Sequence, residues 1–284
     1  MMLIPELTIN WHVREECNFD CYFCYAKYGQ NSSFVKSYPK ILEELAALKG
    51  ANLELASQHI VPESIRLNFA GGEPFLEKQL GPAISLAHTL GLRPSFISNG
   101  ILLKDDFIRA FGKKISVAGF SIDSFDLSTN ARIGRQDSKG RQLSYDRLYH
   151  VLALFREVSP ETTLKINTVV CQENEAEDMT EHLQALSPDR WKILRVIPIH
   201  GAENLAVSDD QYIAFLERHS GVQARVIPED NNDMHRSYLM LDPEGRFYQR
   251  EGSSYQKTPP ITKVGAISAL KGVEFDAATY LSRY

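Results

Sequence analysis

The sequence predicts an α/β fold, an open or incomplete (β/α)6 barrel carrying a C-terminal extension. Strand-like and helix-like segments alternate from the N-terminus to about residue 221, giving about six β/α units, the signature of parallel strands joined by crossover helices. Several of the strands divide into an apolar face and a polar, basic face. From about Val222 the rhythm changes to short strands and turns such as Asp242-Pro243-Glu244-Gly245.

The elements follow in order. Leu7 to Val13 alternates as a strand and enters a loop with three cysteines; Ile41 to Leu48 has a helical period. Ser64 to Ala70 reads as the second strand, with a helix near Leu76 to Leu90 after it. Arg93 to Ser98 is a strand and Lys104 to Phe111 a short helix. Ile115 to Ile122 is a strand, followed by a polar loop from Asp126 to Gln142 and a helix from Leu143 to Val158. Thr163 to Val170 is a strand, Glu175 to Leu186 a helix, Arg190 to Ile199 the last strong strand, and Asp209 to His219 a helix. Residues 1–221 are thus read as the barrel. Residues 222–284 are read as an extension packed on it that closes the ligand site, not as an independent domain.

The strand faces carry a chemical message. Ile65, Leu67 and Phe69 share one face while Arg66, Asn68 and Ala70 share the other; Ile9, Trp11 and Val13 likewise oppose Thr8, Asn10 and His12. Leu164 and Ile166 oppose Lys165 and Asn167, and Trp191 and Ile193 oppose Arg190 and Lys192. The apolar faces must pack on the helices, so the polar and basic faces point inward. A barrel filled for stability alone carries Val, Ile and Leu there, and unpaired Lys or Arg would be costly. An anionic ligand in the interior answers the difficulty.

Composition narrows the class. The chain has 284 residues, a formal net charge of −5 and four cysteines. This mild acidity speaks against a general nucleic-acid binder. The stretch from Met1 to Trp11 lacks the pattern of a signal peptide, and no apolar run approaches the ~18 residues of a membrane span. A cytoplasmic protein with no membrane attachment is expected. Cys17, Cys21 and Cys24 crowd one loop in CNFDCYFC, unlike a disulfide framework spread along a secreted chain. Three thiolates can hold three irons of a cubane and leave the fourth open to an exogenous ligand. A zinc site would need a fourth ligand, and chance core cysteines are the other alternative. Cys171, far along the chain, reads as a small buried residue near a strand end.

The spacing Cys17-x3-Cys21-x2-Cys24, with Phe23 before the last cysteine, resembles the radical S-adenosylmethionine (SAM) superfamily. Ala70-Gly71-Gly72-Glu73-Pro74 at the end of the second strand resembles the GGE motif of that superfamily. The resemblance implies a partial (β/α)6 radical SAM barrel. It implies a 4Fe–4S cluster on Cys17, Cys21 and Cys24, with SAM bound through its open iron. SAM contacts would come from Phe23, Gly71, Gly72, Glu73, Ser98, Asn99, Ser121 and Asp123.

Further segments resemble the viperin family. They are NWHVREECNFDCYFC, LNFAGGEPFL, Ile133-Gly134-Arg135, Lys165-Ile166-Asn167, Arg190-Trp191-Lys192 and Ser237-Tyr238-Leu239-Met240-Leu241-Asp242. That resemblance implies a nucleoside triphosphate substrate, its phosphates met by Arg66, Arg135, Lys165, Arg190 and Lys192. Inward-facing Asn10 is a candidate for the sugar or base, inward-facing Asn167 for a further substrate contact, and Tyr238 with Glu229 for the proton donor. The implied reaction removes the 4′ hydrogen of the ribose and expels the 3′ hydroxyl as water. The product, a 3′-deoxy-3′,4′-didehydro nucleotide (from CTP, UTP or GTP), would act as a chain terminator in antiviral defence. An external donor of the flavodoxin or ferredoxin type would supply electrons. The competing readings are a radical SAM enzyme acting on a peptide or other small molecule, and a non-enzymatic metal-binding interaction module. Against the first stands the lack of cysteines after Cys171. The vertebrate members have Lys where this chain has Arg66, and they carry an N-terminal amphipathic helix that is not expected here.

Overall fold

A computed structural model describes residues 1–25, 34–55, 58–199, 201–233, 236–251 and 254–282. In chain order the elements begin β1 (Met2–Ile4), β2 (Leu7–Arg14), α1 (Phe34–Ala46), β3 (Leu53–Leu55), β4 (Gln58–Pro62), β5 (Ile65–Gly71), α2 (Leu80–Thr89) and β6 (Arg93–Ser98). They continue α3 (Asp105–Phe111), β7 (Val117–Ser121), α4 (Leu127–Ile133), α5 (Tyr145–Val158), β8 (Thr163–Val170), α6 (Thr180–Leu186), β9 (Arg190–Arg195) and α7 (Asp209–Arg218). The last are β10 (Arg225–Glu229), β11 (Leu239–Leu241), β12 (Phe247–Glu251), β13 (Ser254–Lys257), α8 (Ile261–Val264), α9 (Ala266–Leu270) and α10 (Ala277–Leu281).

One sheet runs β10-β9-β8-β7-β6-β5-β2-β11-β12-β13. Every neighbour from β10 to β11 is parallel, and β12 and β13 add an antiparallel ribbon. β1, β4 and β3 form a small separate sheet. The expected α/β class with parallel strands and crossover helices is the one observed. The outer face of the sheet is filled by Trp11, Phe69, Phe96, Phe120, Ile166 and Trp191, all fully buried. Phe96 stands edge-on to Phe120, their centroids 5.8 Å apart, and Phe155 of α5 packs on both.

Besides shifted ends of α1, α6 and β9 and the small β1-β4-β3 sheet that the sequence reading lacks, the structure departs from that reading in three places. The polar loop expected from Asp126 to Gln142 contains α4, capped by Asp126, whose carboxylate accepts from the Thr129 amide at 2.7 Å, and ended by Gly134 at φ 81°. The helix is short and its first turn is polar, so its periodicity is weak, but the Asp cap and glycine stop are visible signals. The helix expected from Leu76 starts only at Leu80, because Pro74–Leu76 makes a 3-10 turn held by the Glu73 side chain. Strands β10 and β11, placed in the extension by the sequence, join the parallel sheet itself. β10 is an edge strand with only Glu229 buried, and such a strand has no apolar alternation to read.

β10 and β11 lie at the two ends of the parallel run. Tyr238, one residue before β11, nevertheless donates a hydrogen bond to Glu229, the last residue of β10. The sheet therefore curls until its ends meet around an interior lined by the polar strand faces.

Candidate active site

The cysteine loop follows β2 directly and is clamped from two sides. The Gly72 amide donates to the Arg14 carbonyl at 2.9 Å and the Glu73 amide to the Glu16 carbonyl at 2.9 Å. A Cβ on Gly72 would stand 2.0 Å from the Glu16 carbonyl oxygen. The glycine is thus required by the approach of the chain to its own cysteine loop, a demand distinct from the approach to a ligand that the motif suggests. On the other side the Tyr22 amide donates to the Ile133 carbonyl at 3.0 Å. Gly134, at φ +81°, leaves a space in which a Cβ would lie 2.4 Å from the Asp20 carbonyl oxygen.

The thiols suit a cluster. Cys21 is buried, Cys24 half-buried and Cys17 exposed. Cys17 Sγ accepts the Phe19 amide at 3.4 Å, and Cys21 Sγ faces Arg135 Nη1 at 3.4 Å. Asn99 Nδ2 lies 3.9 Å from Cys17 Sγ. N–H donors aimed at sulfur are what stabilise cluster thiolates. Burial pushes the Cys17 thiol up and the Cys21 thiol up to about 12, while the neighbouring Arg135 opposes both shifts. Iron would take the place of those protons. Among the described residues no three His, Cys, Asp or Glu side chains converge as ligands of a single ion would. A cubane fills the space between its thiolates with its own irons and sulfides, so it requires no such convergence.

The residues expected at SAM have differing surroundings. Glu73 is fully buried and its carboxylate is held inside the protein. It accepts from Ser98 Oγ at 2.8 Å, from the Asn99 amide at 2.9 Å and from the Phe75 amide at 3.0 Å. Burial raises its pKa, and these donors pull it back. Ser98 also accepts from the Gly100 amide at 2.8 Å, so both side chains brace the ends of β5 and β6. Asn99 Nδ2 reaches Asn18 Oδ1 at 2.9 Å, bridging β6 to the cysteine loop. Phe23 packs on the cluster of Ile133, Cys171, Val196, Ala202 and Leu205. Ser121 is half-buried at the end of β7, in register with Asn167.

Asp123 and Arg135 form a buried ion pair, Nε to Oδ2 2.5 Å. The Asp123 carboxyl, raised by burial and lowered again by Arg135, also accepts the Val169 amide at 2.8 Å. The sequence groups Arg135 with the phosphate contacts. The structure places it among Asp123, Cys21, Cys17 and Glu73, because the Ile133-Gly134-Arg135 turn is pinned beneath the cysteine loop.

The other four basic residues do meet in the interior. Lys165 and Arg190 are paired in register on β8 and β9, as are Asn167 and Lys192. Lys165 is pushed well below its ordinary range by burial first, then by Lys192, Arg66 and Arg190, with Glu229 opposing. Lys192 Nζ forms an ion pair with Glu229 and also contacts the Tyr238 hydroxyl. Arg66 is bound by Glu6, Nε to Oε1 2.7 Å, and by Thr8 Oγ1 at 2.7 Å. Tyr280 of α10 supports that corner, accepting the Thr8 amide at 2.9 Å and donating to the Glu6 carbonyl at 2.7 Å. Thr8 is read from the sequence as inward-facing, but Glu6 and Tyr280 escape the sequence reading of the site; Tyr280 is 272 positions from Thr8, and no local signal links them. Asn10 accepts from Asn68 Nδ2 at 2.9 Å, and Asn167 keeps a buried Oδ1 with no hydrogen-bond partner among the described residues.

A strand-end cysteine triad above a basic barrel interior defines a radical SAM fold, and the comparisons agree. The model of the radical SAM superfamily matches residues 13–186. A Psychrobacter lutiphocae protein named S-adenosylmethionine-dependent nucleotide dehydratase is 35% identical across 98% of this chain and 95% of its own length. Proteins of the same designation from Pseudoalteromonas ulvae and Danio rerio are 38% and 33% identical; they cover 100% and 97% of this chain and 94% and 76% of their own lengths. Among solved structures, Streptococcus suis SuiB bound to S-adenosylmethionine superposes with a TM-score of 0.69 at 14% identity, covering 98% of this chain and 67% of its own. The enzyme anSMEcpe with bound AdoMet and a peptide gives 0.72 at 14% identity over 97% and 84%. The chain belongs to the radical SAM superfamily, whose cofactors are a 4Fe–4S cluster and SAM. Within it, the chain is a member of the viperin family of S-adenosylmethionine-dependent nucleotide dehydratases.

Proposed function

We propose that the chain dehydrates a nucleoside triphosphate (CTP, UTP or GTP) to its 3′-deoxy-3′,4′-didehydro analogue, a chain terminator in antiviral defence. The observation that carries this reading is Lys165. It stands half-buried inside the barrel beside Lys192, Arg66 and Arg190, with no ion pair of its own among the described residues. A surplus of positive charge in a low-dielectric interior is costly unless an anion enters it, and a triphosphate is such an anion. Arg66 and Arg190 can offer forked contacts to phosphate oxygens and Lys165 a point charge.

Cys17, Cys21 and Cys24 would hold the cluster, which together with SAM would supply a 5′-deoxyadenosyl radical once an external donor gave an electron. The task of the polypeptide is to hold the ribose between the basic interior and the cysteine loop, with its 4′ hydrogen facing that radical. The 3′ hydroxyl leaves as water: one hydrogen atom goes to deoxyadenosine, a second electron enters, and one proton joins the departing hydroxide. Tyr238 holds that proton at its hydroxyl. Glu229 accepts from the hydroxyl and Lys192 touches it, which fixes its direction. The segment 222–284 closes this site, since it brings Glu229 and Tyr238 to opposite lips of the curled sheet. Among the described residues no helix is long and apolar enough to cross a membrane.

The test is anaerobic reconstitution with iron and sulfide, then incubation with SAM, dithionite and each of CTP, UTP, GTP and ATP. Deoxyadenosine coupled to loss of water from one nucleotide is the expected mass-spectrometric result. Deoxyadenosine with all four nucleotides unchanged overturns the substrate assignment.

A further inference from the structure

At the N-terminal end of the barrel one carboxylate is held between two arginines. Glu6 immediately precedes β2 and shares the inward side of the chain with Thr8 and Asn10. Its Oε1 accepts from Arg66 Nε at 2.7 Å, and its Oε2 lies 3.2 Å from Arg93 Nε, an ion pair without hydrogen-bond alignment. Arg66 and Arg93 are partners in register on β5 and β6. The Arg66 side chain is 6% exposed and that of Arg93 56%, so the first pair carries the weight while water screens the second. Arg66 Nη2 donates to Thr8 Oγ1 at 2.7 Å. Both anchors are themselves pinned by Tyr280. Its hydroxyl accepts the Thr8 amide at 2.9 Å and lies 2.7 Å from the Glu6 carbonyl and 3.1 Å from Thr8 Oγ1. In a guanidinium, Nε and Nη2 form one edge of a rigid planar fork, and the two terminal nitrogens form another. Glu6 and Thr8 take the first edge from the side of β2. The second edge therefore turns away from β2, into the interior where the charge of Arg66 reaches Lys165.

We propose that Glu6 is a positioning residue for anion recognition: by holding the Nε edge of Arg66, it aims the terminal nitrogens of that arginine at a phosphate group of the substrate. The inference rests on the nucleotide reading of the barrel interior and deepens it, adding to the phosphate site a residue of the same sign as its ligand. A carboxylate there acts in two opposed ways. Its charge repels a polyanion, while its oxygen fixes an arginine that binds one. The second effect prevails, because forked contacts to phosphate are strongly directional and the charge of Glu6 is already answered by Arg66 and Arg93. A phosphate that meets a fixed fork gains its hydrogen bonds without ordering the side chain at the moment of binding.

Two conservative variants separate position from charge. Glu6→Gln keeps an oxygen within reach of Arg66 Nε and removes the charge. Glu6→Asp keeps the charge and withdraws the oxygen by one methylene group. The experiment measures KM and kcat of the reconstituted parent and both variants with CTP, UTP, GTP and ATP, the Kd of inorganic tripolyphosphate by calorimetry, and iron content. The expected result in Glu6→Asp is a rise of about tenfold, common to the KM of every accepted nucleotide and to the tripolyphosphate Kd. Its kcat and iron content stay parental, and Glu6→Gln stays close to the parent throughout. In an Arg66→Gln background, Glu6→Asp brings no further rise in the tripolyphosphate Kd. The reverse order, with Glu6→Asp parental and Glu6→Gln tighter, makes Glu6 a mere counter-charge and overturns the proposal. Parental values in both variants overturn it too, as does a fall in kcat or iron content in Glu6→Asp. A rise that persists in the Arg66→Gln background does the same, since the effect then bypasses Arg66. A parent that binds tripolyphosphate, with this pattern among its variants, but turns over none of the four nucleotides refutes the nucleotide reading and leaves the role of Glu6 standing.

Discussion

The Tyr238 hydroxyl donates to the Glu229 carboxylate across the gap between the first and last parallel strands of the sheet. Lys192 closes the group by pairing with Glu229, so a phenol, a carboxylate and an ammonium share one buried corner. Lys192 is thereby engaged within the protein at a position where the sequence suggests a phosphate contact.

Replacing Tyr238 with Phe deletes the proposed proton donor and keeps the ring. Nucleotide product should fall about 10²-fold or more, the usual contribution of a positioned acid. Iron content and SAM binding should persist. The ratio of dehydrated nucleotide to deoxyadenosine is the measurement; a parental ratio would remove Tyr238 from the mechanism.

Lys165 predicts a proton-linked binding reaction. Its pKa lies well below its ordinary 10.5, through burial and the neighbouring cations. A polyanion beside it favours the ammonium, so binding takes up a proton at pH values between the depressed pKa and that of the complex. Affinity should therefore fall as pH rises through the window between the depressed pKa and that of the complex. Calorimetry in buffers of different ionisation enthalpy reads the uptake directly, and Lys165→Met should abolish it. Without ligand the sign concerns stability: in the window up to 10.5 the unfolded chain binds more protons at this residue, so its penalty on folding shrinks as pH rises.

Gly72→Ala tests the clamp on the cysteine loop. The new methyl group would sit 2.0 Å from the Glu16 carbonyl oxygen, so the backbone must move, at a cost of about 1–3 kcal/mol. Iron and sulfide incorporation should drop several-fold, while far-ultraviolet circular dichroism stays parental. Full incorporation in this variant would show that the contact is dispensable.

His12 gives the apoprotein an acid-sensitive term. It is buried, its Nδ1 lies 2.8 Å from the Tyr248 hydroxyl, and its pKa is pushed from 6.5 down to about 4 by burial. Between those values the unfolded chain binds a proton that the folded one refuses, so stability falls as pH drops from 6.5 towards 4. The loss attributable to this residue is roughly 3 kcal/mol at most. Urea titrations at several pH values should show a shallower slope for His12→Gln; equal slopes would assign the effect to other groups.

One dimension suffices for the chemistry of the centre and for the class of fold. Cys17, Cys21 and Cys24 stand in one loop, Gly71-Gly72-Glu73 ends a strand, and alternation on four strands separates an apolar from a basic face; each is a short-range pattern. Lys165, Arg66, Arg190 and Lys192 are legible as inward-facing for that reason. Which of these charges are engaged, and by what, is settled only when the chain is folded. Arg135 goes to Asp123 and Cys21 because a glycine turn pins it under the cysteine loop. Arg66 goes to Glu6 and Thr8, and Tyr280 from the far end of the chain comes to brace them. β10 carries too little apolar pattern to announce itself, and β11 is only three residues long. Their places follow from how far the sheet curls. That curvature is a sum over all the strand pairings, and no single segment of sequence encodes it.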